Sequence, residues 1–424
     1  MRKMKESGIE WIGEIPENWE TKKLKFLVDL RTDKTVDKTV LAPYVGLEHV
    51  MSLAGTLTED YEAVFDFAGD TIDFKEGDVL FGKLRPYLAK AIQTETNGRC
   101  SSEFWVMEPK LINGRFLLYL VLSHGFISCI DQSTFGVKMP RAEWEYAGNR
   151  ELALPDNDTQ KKIADYLDKK CAEIDALIAA KEKTNALLKE QRQSIIYEAV
   201  TKGLDPDVPM KNSGIEWIGE IPENWSAWRM KHLASEPLQY GANATGVEFR
   251  EDIPRYVRIT DITADRKLNT EGKQSLETDI ARDYMLEDGD ILFARSGATS
   301  GKSFYYESTY GPCCFAGYLI RLRTDSRKAL SKFLYYYTLT QAYENWTQQI
   351  FIQATIQNIN ADKYNNLWFA IPETLEEQAE IVSYLDQRCS EMDALISANE
   401  ATIQKLKEYR QSIIYEAVTG KIEV

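Results

Sequence analysis

Two long stretches carry apolar residues at steps mostly of three and four. The first runs Ile163, Leu167, Cys171, Ile174, Ile178, Leu188, Ile195, Ala199. The second runs Ile381, Leu385, Cys389, Met392, Ile396, Ile403, Leu406, Ile413, Ala417. This spacing predicts two helices, each with one face made to pack on another helix. Asp156 offers an N-cap to the first, and Thr374 with Glu377 has the capping-box pattern for the second. Gly203 and Gly420 are placed to stop them. A helix from Thr159 to Lys202 would be ~65 Å long at 1.5 Å per residue. Neither can bury its stripe alone, so the two are expected to pair, antiparallel, about a pseudo-twofold axis.

Ahead of each helix the pattern shortens. Apolar clusters at Tyr44–Leu47, Val79–Phe81 and Phe104–Met107, set between Gly/Asp/Asn-rich turns, predict strands, and Phe116–Leu122 predicts a helix. The order recurs later: strands near Tyr256–Ile259, Ile291–Ala294 and Tyr318–Leu322, then a helix at Lys332–Leu339.

The recurrence is literal in places. SGIEWIGEIPENW, Ser7 to Trp19, returns as Ser213 to Trp225, and RQSIIYEAVT, Arg192 to Thr201, returns as Arg410 to Thr419. The offset between copies grows from 206 at the tryptophans to 212 at Gly77-Asp78 and Gly289-Asp290, and to 218 at the arginines. Each unit thus keeps its ends and changes its middle, which reads as a constant frame carrying two variable inserts. The expected division is a frame segment 1–20, an insert 21–154, a helical region 155–203, a linker and repeated frame segment 204–226, a second insert 227–371 and a C-terminal helical region 372–424. The fold class expected is α+β: two mixed α/β domains joined by two long paired helices.

Composition changes this picture little. At 424 residues, 44% hydrophobic and 28% charged, the chain has the make-up of a soluble globular protein. No apolar run reaches the ~18 residues of a membrane helix, and MRKMKESGIEW lacks the apolar core of a signal peptide. The cytoplasm is the expected compartment, with no membrane partner. Six cysteines without a CxxC and three histidines (His49, His124, His232) make a zinc or disulfide framework improbable.

Charge matters more. The net −15 argues, taken alone, against nucleic-acid binding. The excess acid is uneven, however. Residues 227–371 hold 17 basic and 17 acidic side chains, residues 21–154 hold 16 and 19, and residues 376–423 hold 5 and 10. The frame carries much of the acid and the inserts are close to neutral.

Candidate chemistry is sparse. SGATSGKS, Ser296 to Ser303, imitates a phosphate-binding loop, but GxxxxGK[ST] needs glycine five before Gly301 and Ser296 stands there. FYYEST after it is not an amphipathic helix, so no helix N-terminus would face a phosphate. The better reading is a polar, cationic loop after a strand in both inserts: Lys83, Arg85 and Lys90 in one, and Arg295, Ser296, Thr299 and Lys302 in the other. Lys138 and Arg141 add basic groups to the first. TQQIFIQATIQNIN adds amides to the second, among them Gln348, Gln349, Gln353, Gln357 and Asn358. Amides can pair with adenine in the major groove and Arg or Lys with guanine, although a polar loop or sheet surface would carry the same residues. There is no [ND]PP[YF] string, and no histidine recurs at an equivalent position.

GIEWIGEIPENW at the head of each half, a GD[VI]LF strand followed by a cationic loop, a proline with glutamine five or six residues on (Pro155 to Gln160, Pro372 to Gln378) and a long helix belong together. In this combination the chain resembles, over essentially its whole length, the specificity subunit of type I restriction-modification systems. The resemblance implies two target-recognition domains separated by conserved helical regions, each domain reading one half of a split DNA sequence. It implies a subunit without catalytic activity or cofactor, binding double-stranded DNA, two methyltransferase subunits and, in the full complex, two restriction subunits. Part of the DNA clamp would come from the methyltransferases, which makes an acidic hub tolerable. No base-reading residue transfers, because the inserts are what differs between members. The paired helices would act as a ruler between two readers about one helical turn of DNA apart, ~34–36 Å. A duplicated coiled-coil scaffold that never touches DNA is the alternative, and a nucleotide-binding enzyme a third reading.

Overall fold

The computed structural model describes residues 2–32, 42–58, 60–62, 70–134, 139–297, 299–352 and 358–424. The chain divides into two compact units. One comprises Met1–Glu182 with Asn399–Val424, the other Lys183–Ala398.

In the first unit, strands Met4–Glu6 and Glu14–Pro16 form a hairpin. Strand Glu20–Lys23 then pairs antiparallel with Glu151–Leu154, Glu20 opposite Leu154. The two ends of the insert therefore lie side by side, and the chain between them can change in length without moving its attachment. Inside, a four-stranded antiparallel sheet runs in the order Val28–Arg31, Phe104–Pro109, Val79–Gly82, Ala91–Gln93. A smaller sheet sets Gly98–Ser101 between Tyr44–Val45 and Thr71–Phe74. Helix Gly114–Leu122 is buried from Phe116 to Leu122, an apolar helix enclosed on all sides.

The second unit repeats this plan. Hairpin Met210–Asn212 and Glu220–Pro222 leads to strand Trp225–Arg229, which pairs with Trp368–Pro372, Trp225 opposite Pro372. The main sheet runs Gln239–Tyr240, Leu319–Leu322, Ile291–Ala294, Ser303–Tyr305, and helix Ser331–Tyr337 follows. The smaller sheet differs: Arg255–Val257 lies between Cys313–Phe315 and Gln274–Ser275.

The long helices are Asn157–Lys202 and Leu375–Val418. In the first unit Ile163, Leu167, Cys171, Ile174 and Ile178 share a core with Ile403, Ile413, Ile414 and Ala417. Arg410 Nε lies 2.9 Å from Asp175 and Lys181 Nζ donates to Asn399 at 3.0 Å, so the helices run antiparallel. In the second unit Ile196, Ala199 and Val200 share a core with Ile381, Leu385 and Cys389. The repeat-equivalent pair there is Arg192 and Asp393, 3.6 Å apart. Met392 and Ile396 are buried, while Leu188, Ile195 and Leu406 are half-buried. The buried face rotates past the expected positions mid-helix, taking in Asn185 and Ile196, because a 3.6-residue helix drifts against a fixed pattern.

Helix ends follow their chemistry with one correction. Asp156 accepts from Thr159 N at 2.9 Å. Thr374 accepts from Glu377 N at 3.3 Å, but the reciprocal half of the capping box is missing. The Glu377 carboxylate accepts instead from Trp225 Nε1 at 2.7 Å and from Asn224 at 3.2 Å. Gly203 and Gly420 end the helices at φ 80° and 72°, where a side chain would be strained. Gly420 also sits against Pro16 and Trp19 with no room for a Cβ. All six cysteines are free. Burial raises the Cys313 thiol to about 11 and the Cys314 thiol to about 12, which keeps both protonated and inert. Among the described residues no single helix is long and apolar enough to cross a membrane.

Candidate nucleic-acid interface

The repeated motifs turn out to brace each insert internally and to tie it to the frame. In Gly77-Asp78, the glycine at φ 87° closes a turn, and buried Asp78 accepts from Lys75 N at 2.8 Å and pairs with Arg31 at 2.7 Å. In Gly289-Asp290, at φ 89°, Asp290 accepts from Glu287 N at 2.8 Å and pairs with Arg323 at 2.8 Å. These hydrogen bonds to aspartate raise the pKa of both arginines. The glutamine after each proline bridges frame and insert. Gln160 donates to Pro155 O and accepts from Asn113 N at 2.7 Å, beside the N-cap of helix Gly114–Leu122. Gln378 donates to Pro372 O and accepts from Leu330 N at 2.8 Å, at the cap of helix Ser331–Tyr337.

A further clasp repeats with no motif to announce it. Tyr119 Oη donates to Asp168 at 2.6 Å, with Arg115 on the same carboxylate at 2.6 Å. Tyr336 Oη donates to Asp386 at 2.5 Å, with Lys332 on that carboxylate at 2.9 Å. Burial, and then the hydrogen bond to aspartate, push both phenols far above their ordinary range.

The cationic loops leave their strands alike. After Val79–Gly82, the Lys83 N–H donates to Glu103 O at 2.9 Å and its carbonyl accepts from Ala142 N at 2.9 Å. After Ile291–Ala294, the Arg295 N–H donates to Tyr318 O at 3.0 Å and its carbonyl accepts from Ile359 N at 2.8 Å. Arg141 is drawn beside Lys83 by the bridge of Leu84 to Arg141, but its guanidinium is held by Glu103 in a two-pronged pair at 2.8 and 3.0 Å. Arg85 is exposed, in the left-handed conformation at φ 51°. Lys90 requires correction as an outward cation: its ammonium donates to Leu47 O at 2.6 Å, inside the fold. Lys138 lies outside the described residues.

In the second insert Ser296 bridges Asn358, which joins the cationic loop to the end of the amide-rich segment. Thr299 and Lys302 are half-buried in the turn that follows. What succeeds Lys302 is strand Ser303–Tyr305, so no helix terminus faces a phosphate. The first part of the amide-rich segment belongs to a helix, Gln341–Ile352, rather than to the polar loop or sheet surface weighed against base reading. Ala342, Tyr343, Trp346 and Thr347 form its buried stripe, while Gln348 and Gln349 are exposed. Gln353 and Gln357 lie outside the described residues.

Each cation borders an open cleft within its own unit. The cleft beside Lys83 measures about 640 Å³ and is walled by Thr32, Glu103, Arg141 and Trp144. The cleft beside Arg295 measures about 770 Å³ and is walled by Tyr240, Asn243, Thr245, Arg258 and Tyr318. Tyr240 and Tyr318 were not singled out by sequence; they lie 55 or fewer residues from Arg295 along the chain but carry no shared spacing with it. Arg258 belongs to the scaffold, since Asp261 and Gly272 O hold its guanidinium.

Residues 254–408 match the family model of the type I restriction modification DNA specificity domain. The chain is 25% identical over 347 residues to the type I restriction enzyme EcoBI specificity subunit of Escherichia coli, covering 77% of this chain and 72% of the relative. It is 26% identical over 322 residues to the MjaVIII specificity subunit of Methanocaldococcus jannaschii, covering 74% and 72%. The fold is similar to a chain solved in work on complex assembly and conformational transition of the type I R-M system. That match has a TM-score of 0.75 at 19% identity and covers 96% of this chain and 99% of the other. It is also similar to the HsdS subunit from Thermoanaerobacter tengcongensis, with a TM-score of 0.52 at 18% identity, covering 96% and 98%. With the repeated frame and the paired helices, the chain is similar across both halves to type I restriction-modification specificity subunits, and residues 254–408 carry the match to their DNA specificity domain.

Proposed function

We propose that this chain gives a type I restriction-modification complex its DNA sequence specificity and performs no catalysis itself. Residues 21–154 and 227–371 are the two target-recognition domains, and each reads one half of a split, asymmetric target. The observation that carries this reading is the pair of equivalent clefts. One backbone arrangement presents a cation after the GD[VI]LF strand in both inserts, while the side chains around it differ. A scaffold without DNA would have no use for that divergence inside a repeated frame. Cations near the clefts would take phosphates, and amides or guanidiniums would take base edges. The frame helices would dock two methyltransferase subunits and, in the full complex, two restriction subunits.

Both long helices continue from one unit into the other, so their length would set the unread gap. Removing seven residues from one should change the permitted gap and leave both half-sites intact. The test of the reading as a whole is methylome sequencing of a host without its own systems, expressing this chain with its cognate methyltransferase subunit. One split motif, methylated on both strands with a fixed gap, is expected. A stable complex that methylates no defined sequence would refute the reading and favour a scaffold.

A further inference from the structure

We propose that the residue leaving the GD[VI]LF strand is a base-reading position in each insert: Arg295 reads a guanine of one half-site, and Lys83 makes the corresponding contact in the other. The inference rests on the function proposed above and goes further by assigning the contact to one side chain per half.

Arg295 is held as a reader should be. Its backbone is fixed on both sides, by Tyr318 O at 3.0 Å and Ile359 N at 2.8 Å. Its guanidinium lies over the ring of Tyr240, 5.0 Å from the centroid. That ring is itself pinned, because its hydroxyl accepts from Ala361 N at 2.9 Å. An aromatic platform of this kind orients the planar fork and reduces the entropy lost on binding.

The donors of Arg295, by contrast, are poorly satisfied. Nε is shut off from solvent without an acceptor, and Nη1 reaches only Gly317 O at 3.4 Å. No carboxylate pairs with it among the described residues. Arg250, Arg258, Arg321, Arg323 and Arg327 of the same insert pair with aspartate or glutamate. Arg255 and Arg266, which have no carboxylate among the described residues, are tied to Asn269 O and Ser303 Oγ at 2.7 and 2.5 Å, away from the aromatic platform that orients Arg295. A pre-oriented arginine with unfilled donors beside an open cleft suits the two acceptors on the guanine edge, O6 and N7.

Lys83 supplies the independent observation. It occupies the same backbone slot, between Glu103 O and Ala142 N, and its ammonium pairs with no carboxylate among the described residues. The nearby Glu103 carboxylate is already taken by Arg141 at 2.8 Å. In the first insert the acid beside the slot is occupied, in the second the cleft at the slot has no acid in its wall, and in both the cation is left without a carboxylate among the described residues.

The experiment selects a randomised duplex DNA library with the complex of this chain and its methyltransferase subunit, using the wild type and Arg295→Ala, Arg295→Lys and Lys83→Ala. Arg295→Ala should lose the preference for guanine at one position of one half-site by roughly tenfold or more, with the other half-site and the gap unchanged. Lys83→Ala should relax a single position of the opposite half-site. Arg295→Lys keeps the charge and serves as the readout if the alanine variant fails to fold; it should weaken discrimination at the same guanine. A uniform fall in binding with every preference intact would make these phosphate contacts and overturn the proposal. So would both variants acting on the same half-site, or unchanged selection. A wild-type complex that selects no split sequence would instead refute the proposed function itself, so the two failures are distinguishable.

Discussion

The junction between frame and insert and the cleft within the insert obey opposite rules when the two halves are compared. At the junction the halves agree almost atom for atom. Gln160 and Gln378 each join a proline carbonyl to a helix cap, and Asp168 and Asp386 each receive a tyrosine and a cation. At the cleft only the backbone agrees. Lys83 stands beside a glutamate–arginine pair, whereas Arg295 stands on a tyrosine beside Tyr318, which is 61% exposed. Groups that hold the inserts have one workable geometry, because a buried polar atom left unpaired is costly. Groups that face outward are free to differ.

Substitutions at these repeated contacts should therefore destabilise both halves, differing only where the partners differ. Trp19→Ala and Trp225→Ala each empty a fully buried site and should cost about 4 kcal/mol. The loss should be greater at Trp225, whose Nε1 donates to Glu377, than at Trp19, whose Nε1 has no partner. Denaturant unfolding with hydrogen exchange followed unit by unit would show each loss confined to its own unit. Asp78→Ala and Asp290→Ala remove the buried partner of Arg31 and Arg323, together with a backbone bond in the turn. Each arginine keeps a glutamate, Glu108 in one half and Glu287 in the other, so each change should cost about 2 kcal/mol. Equal effects would sharpen the comparison, and an effect in only one half would break it.

Smaller effects probe finer equivalence. Tyr119→Phe and Tyr336→Phe each remove one hydrogen bond to a carboxylate that keeps its cation, and should cost about 1.5 kcal/mol by the same measurement. Asp156→Ala removes an N-cap bond of 2.9 Å and should cost about 1 kcal/mol. Thr374→Ala should cost less, since its bond is 3.3 Å long and the Glu377 side chain is turned to Trp225.

The same contrast explains what could be read from the sequence. The frame was legible because it is written twice and its helices repeat with the period of their geometry, as Ile163, Leu167 and Cys171 show against Ile381, Leu385 and Cys389. The strands after Gly77-Asp78 and Gly289-Asp290 were legible for the same reason. Where a residue has a choice of partners, the sequence is silent. Glu377 had the capping-box position and took the Trp225 indole. Lys90 looked like an outward cation and took a backbone carbonyl. In the amide-rich segment the polar residues are the conspicuous ones, but Ala342, Tyr343 and Trp346 carry the helical signal. The cleft beside Arg295 draws on residues from Tyr240 to Tyr318, brought together by sheet order and by no local pattern.

If one constant frame carries two interchangeable readers, a chain in which residues 227–371 are replaced by a second copy of residues 21–154, joined at the paired strands that close each insert, should still fold, assemble and read DNA. Methylome sequencing of a host expressing this chain with the methyltransferase subunit should return a symmetric split motif, with the first half-site repeated in inverted orientation. An unchanged asymmetric motif, or a folded and assembled complex that methylates no defined sequence, would mean that the inserts are not interchangeable readers.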